Sequence, residues 1–129
     1  MTLQEVKEIL DAEVFVGHDQ LGKEVKTAFG ADLMSDVLAF AKTGSILLTG
    51  LTNPQIVRTS NILDIAAIII VRGKHPLPET IKLAEELKIP LLATKYILFE
   101  TAGRLYKKGI VGCIETVDEK RDFSQKRTL

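Results

Sequence analysis

Two stretches, Ser45-Ile46-Leu47-Leu48-Thr49-Gly50 and Ala66-Ala67-Ile68-Ile69-Ile70-Val71, decide the fold of this chain. Both are short, aliphatic and bounded by polar or turn-forming residues, and neither alternates with polar side chains. A strand with water on one side alternates, whereas a strand covered on both faces reads as a continuous apolar run. The two stretches begin 21 residues apart, and a third, Pro90–Ala93, begins 24 residues later. Each interval holds one crossover helix, so the spacing predicts successive right-handed βαβ units. The fold class expected is α/β, a three-layer α/β/α domain with a largely parallel central sheet.

The flanking text fits this frame. Helices are expected over residues 2–10, 33–42, 54–64, 78–88 and about 97–107. Thr2 and Glu5 have capping-box spacing. Asn53-Pro54 places a capping side chain before a proline, Pro78 suits a first helical position, and Gly44 and Gly109 suit helix ends. Asp32 is expected to cap the helix 33–42, with Asp36 favouring its dipole from the first turn. Two further strands are expected at Glu13–Val16 and Glu24–Phe29, joined by the polar segment Gly17–Gly22, whose terminal glycines suit a turn. Val111–Thr116 is expected to add an edge strand. Residues 1–117 then form one domain, and 118–129 a polar tail that frays.

Composition narrows the function classes. The 129 residues carry 17 basic and 17 acidic side chains, so no global field draws nucleic acid or anionic lipid, and neither is an expected partner. Cys113 is the single cysteine, which rules out an intrachain disulfide and fits an inert, half-buried thiol. The start of the chain does not read as a signal peptide, and the longest apolar run, Ile65–Val71, is seven residues, far too short for a membrane span. The expected location is cytoplasmic.

No Gly-x-x-x-x-Gly-Lys-Ser/Thr, Gly-x-Gly-x-x-Gly or Gly-x-Ser-x-Gly motif is present. His18 and His75 stand alone, without a second ligand at metal spacing. No catalytic residue, metal or cofactor is therefore expected. What remains is the edge of the sheet where parallel strands end, the usual place for a ligand in such folds. The loops there carry Thr49, Gly50, Thr52 and Asn53, then Arg72 and Lys74, then Thr94 and Lys95. Hydroxyls, cations and helix N-termini around one crevice suit a small anion or a nucleotide phosphate. The same hydroxyls and Asn53 also serve as ordinary helix caps, and loop cations are commonly just solvated. A second route to function is self-association, because Leu33, Met34, Val37, Leu38, Ala39, Phe40 and Ala41 exceed a single apolar stripe.

Four segments in order, Ala31–Leu38, Leu47–Pro54, Val71–Lys74 and Thr94–Thr101, resemble the DRTGG-domain family, and the resemblance runs over residues 2 to 112. It implies a domain similar to the N-terminal domains of HPr kinase and of some Mur ligases. It also implies a regulatory or dimer-forming role, as in pyrophosphatases where such domains accompany CBS domains. The family's Asp-Arg pair reads here as Asp36-Val37, and its Thr-Gly-Gly as Thr49-Gly50-Leu51, so a bidentate anion donor and one glycine are replaced. On this basis Asp36 joins the candidate ligand residues. The expected function is a non-catalytic regulatory or ligand-sensing module, homodimeric, that binds a small anionic ligand such as an adenine nucleotide. The alternative is a structural module that docks on a larger protein without any small ligand.

Overall fold

A computed structural model describes residues 1–117, and the frayed tail expected over 118–129 lies outside the described residues. Six strands and five α-helices follow one another as α1 (Leu3–Ile9), β1 (Glu13–Val16), β2 (Thr27–Gly30), α2 (Met34–Phe40), β3 (Ile46–Thr49), α3 (Gln55–Leu63), β4 (Ala67–Ile70), α4 (Pro78–Leu87), β5 (Leu91–Ala93), α5 (Leu98–Lys107) and β6 (Val111–Gly112). The sheet order is β1-β5-β4-β3-β2-β6. All neighbours are parallel except β1, which runs antiparallel to β5 at one edge. This is the expected α/β/α architecture.

The strands explain its stability. Side chains alternate faces along a strand, and here both faces are apolar. Ile46, Leu48, Ala67, Ile69 and Leu92 meet Leu3, Val6 and Leu10 of the α1 region and Leu105 of α5. Ile68, Ile70, Leu91 and Ala93 meet Ile56, Val57 and Ala84 of α3 and α4, while Leu47 meets Val37 of α2. Connections from β2 through β5 step in one direction, so right-handed crossovers keep α2, α3 and α4 on one face. The return from β5 to β6 reverses direction, which puts α5 on the other face beside α1.

Several local expectations change. Glu13–Val16 and Thr27–Gly30 are not neighbours: three strands separate them, and the segment between them holds a 3-10 turn at His18–Gln20. Gly17 begins that turn at φ +97°, with the backbone of Pro90 so close that an added Cβ would lie 2.8 Å from its Cα. Glycine is therefore needed there for both conformation and space. β2 starts at Thr27 because Glu24 instead forms an isolated bridge with Thr2. α2 is shorter than expected, since Ala41 is already extended and packs on the core. Gly44 consequently lies in the following turn, where its N–H donates to the Asp64 carbonyl, and is not a helix cap. Gly109 does follow the end of α5 in a left-handed conformation. The edge strand expected at Val111–Thr116 is confined to Val111–Gly112.

The capping box at Thr2 is complete: the Glu5 N–H donates to Thr2 Oγ1, and the Thr2 N–H donates to Glu5 Oε1. The bond from the Thr2 backbone, and then that from its hydroxyl, lowers the Glu5 pKa below its ordinary 4.5. A lowered folded-state pKa contributes stability that is present above the unfolded value and lost as pH falls through the folded one. Urea unfolding of the Glu5→Gln variant should therefore lose a small part of the wild-type acid dependence below about pH 4.5, with no comparable change near neutrality.

Candidate functional site

The carboxyl ends of β2, β3, β4 and β5 form one edge, as the parallel order requires, and carry the loops singled out in the sequence. Thr49 closes β3 with its side chain fully buried, and its hydroxyl donates to Asp32 Oδ1 at 2.9 Å. The Gly50 N–H donates to the same oxygen at 2.7 Å. The Thr49 oxygen in turn accepts from the Leu51 N–H at 3.2 Å. The hydroxyl and amide expected to receive an external anion thus already hold one, the carboxylate of Asp32.

This corrects the role of Asp32. It does not cap α2, whose N-cap is Leu33 without any side-chain bond. Asp32 reaches across to β3 because Gly30-Ala31 ends β2 directly beside it, the Ala31 N–H donating to the Leu48 carbonyl. Asp36, by contrast, lines a separate shallow cavity with Phe29, Phe40 and Glu115, away from Thr49 and Gly50. The aspartate bonded to the Thr-Gly turn is therefore Asp32, and Asp36 makes no bond to it.

The other hydroxyls are also committed. Thr94 is buried and donates to the Leu10 carbonyl at 2.7 Å, while accepting from the Tyr96 N–H at 3.3 Å. Thr52 is half-buried, and its carbonyl accepts from the Thr80 hydroxyl at 2.7 Å and from the Leu77 N–H, joining the β3 loop to α4. Asn53 Oδ1 accepts from the Gln55 N–H at 3.0 Å, a local turn bond one residue before the N-cap of α3, which is Pro54 and makes no side-chain bond. These are the bonds of ordinary turns.

The cations differ. Arg72, Lys74 and Lys95 are exposed, and the two ion pairs among the described residues, Met1–Glu24 and Arg104–Glu100, involve none of them. Arg72 and Gly73 are consecutive left-handed residues, at φ +71° and +69°. Their N–H groups donate to the carbonyls of Tyr96 and Thr94 at 2.8 and 3.0 Å, tying the Arg72 loop to the Lys95 loop. A left-handed arginine is strained, and surrounding bonds must hold it.

Two aromatic contacts were not legible in the sequence. The Arg104 guanidinium lies 4.0 Å from the centre of the Tyr96 ring, and the His75 ring packs against Phe15 at 5.6 Å between centroids. Cys113 is half-buried, with Sγ 3.9 Å from the Phe40 carbonyl. Among the described residues no group of three His, Cys, Asp or Glu side chains is placed to hold a metal, and no helix is long and apolar enough to cross a membrane.

A six-stranded, mostly parallel sheet between two helical layers, with an aspartate after β2 locked onto a Thr-Gly turn after β3, defines a small α/β/α domain of the class suggested by the sequence resemblance. The DRTGG domain model matches residues 5–107, and the chain belongs to that family. The uncharacterized protein YtoI of Bacillus subtilis (strain 168) is 28% identical over 107 residues, which is 81% of this chain and 24% of YtoI. The crystal structure of the CBS and DRTGG domains from the regulatory region of Clostridium perfringens pyrophosphatase, complexed with its activator diadenosine tetraphosphate, superposes with a TM-score of 0.68 at 19% identity. That match covers 98% of this chain and 59% of the other. The chain thus spans about a quarter of one relative and three-fifths of the other.

Proposed function

We propose that this chain is a non-catalytic regulatory module that senses a phosphate-bearing ligand of the adenine-nucleotide class and works as a homodimer. The observation that carries the ligand half is the unpaired cationic edge. Arg72, Lys74 and Lys95 stand on loops fastened to each other, with no carboxylate partner among the described residues. Unpaired cations at the carboxyl edge of a parallel sheet suit a polyanion. Thr49 and Gly50 serve as the wall of this site through Asp32, and the phosphate contacts fall to the three cations. The activator complex of the pyrophosphatase regulatory region supports an adenine nucleotide as the first ligand class to test.

A thermal-shift series with AMP, ADP, ATP and diadenosine tetraphosphate tests this directly. At a tenfold excess over Kd, binding adds about 1.4 kcal/mol, worth roughly 5 °C in a domain of this size. No shift for any of the four at millimolar concentration would remove the ligand half.

A further inference from the structure

A group of exposed large apolar side chains clusters on one face, while Ile62 of α3 lies apart from it. Phe99 is 87% exposed and Tyr106 is 68% exposed, with Ile97, Leu98 and Val111 also open to solvent. α5 is apolar on two sides: Thr101 and Leu105 face the sheet, while Phe99, Ala102 and Tyr106, at i, i+3 and i+7, form an outward ridge. Beside that ridge runs a groove of about 620 Å³ between α5 and the β2–β6 edge, its floor including Ala28, Gly30 and Leu48. A shallower hollow lies on the ridge's other side at Gly103 and Lys107. Ridge and groove therefore adjoin on one surface.

The face expected from the sequence to mediate pairing, on α2, is partly taken by the core. Val37 and Ala41 pack against Leu47 and Ile65, with Met34 beside them, leaving Leu33, Leu38 and Ala39 exposed and Phe40 half-buried. We infer that the α5–β6 face is a two-fold interface with a second copy of this chain, in which the Phe99–Tyr106 ridge of each protomer enters the groove of the other. This rests on the pairing half of the proposed function and names its surface.

Area favours a second copy. A standard interface covers about 800 Å² per partner, somewhat more than half of it apolar. The open side chains of Ile97, Leu98, Phe99, Tyr106 and Val111 supply on the order of 500 Å² of apolar surface, enough for the centre of such an interface. A self-complementary patch is also what an isologous contact requires, since the same residues must serve on both sides. Glu115 borders the groove and Lys107 the opposite hollow, so the charged side chains lining these two hollows stand at the margins of the ridge.

Sedimentation equilibrium of the full chain from micromolar to near-millimolar concentration tests the inference, alongside Phe99→Asp, Tyr106→Glu and Leu38→Asp. A dimer is expected for wild type and for Leu38→Asp. Phe99→Asp and Tyr106→Glu should each raise the dimer dissociation constant at least about tenfold. Both sites are exposed, so circular dichroism and the melting temperature of the dilute protein should not change. A dimer insensitive to both aromatic changes, or one broken by Leu38→Asp alone, would overturn the interface and leave pairing intact. A wild-type monomer throughout would overturn pairing as well, while the nucleotide series would still stand or fall separately.

Discussion

Replacing Asp32 with alanine should destabilise the domain by about 2 kcal/mol, a large effect for a residue that is itself exposed. The physical reason is the company it keeps. One carboxylate oxygen accepts from the fully buried Thr49 hydroxyl and from the Gly50 N–H, and alanine would leave both donors without a partner at the edge of the core. Asp32→Asn is a gentler change, because the amide oxygen of asparagine can accept both bonds; its cost should stay under about 1 kcal/mol. Asp36→Ala removes no such bond and should fall within about 0.5 kcal/mol of wild type. Urea unfolding of the three variants decides the matter. Equal effects at Asp32 and Asp36 would mean the contact to Thr49 and Gly50 does not hold the β2 and β3 ends together in solution.

Thr94→Val should have a similar or larger effect, about 1–3 kcal/mol, although the two side chains have nearly the same shape. Thr94 joins elements far apart in sequence, donating from the end of β5 to the Leu10 carbonyl at the end of α1. Valine leaves that carbonyl buried and unpaired and also removes the acceptor for the Tyr96 N–H. The corresponding fall in melting temperature is roughly 5–10 °C. Thr94→Ser keeps the hydroxyl and should recover most of the loss. If serine were as damaging as valine, the methyl packing of Thr94 would be the dominant contribution and the hydrogen bond a minor one.

Much of the fold was legible because its signals are local. The unbroken apolar runs at Ile46–Leu48 and Ala67–Val71 announce strands covered on both faces, and the Thr2–Glu5 box and Pro78 mark helix starts where they occur. Strand order was not legible. Nothing near Glu13–Val16 says that it pairs with Leu91–Ala93, because the partner strand lies about 80 residues away in sequence. The candidate site divides in the same way. The loops were found from topology alone, and the placement of Arg72 and Lys95 on adjoining loops follows from it. The roles of Thr49, Gly50 and Thr94 depend on which acceptor is nearest, Asp32 Oδ1 or the Leu10 carbonyl, and those acceptors lie 17, 18 and 84 residues away in sequence. Phe99 was hidden for another reason. In the run Ile97-Leu98-Phe99 no polar residue marks which side chain faces out, and the orientation of α5 decides it.

Ligand sensing by this domain turns on whether the cationic edge binds a phosphorylated ligand. Isothermal titration calorimetry with ATP and with diadenosine tetraphosphate, on wild type and on the Arg72→Ala/Lys95→Ala double variant, is the decisive measurement. Charge-assisted bonds to phosphate contribute about 1.5–3 kcal/mol each, so the double change should weaken binding by at least about a hundredfold, and added salt should weaken wild type more than the variant. Saturable binding to wild type with that loss is the predicted result. Affinity unchanged in the double variant, or no binding by wild type at millimolar ligand, would contradict it.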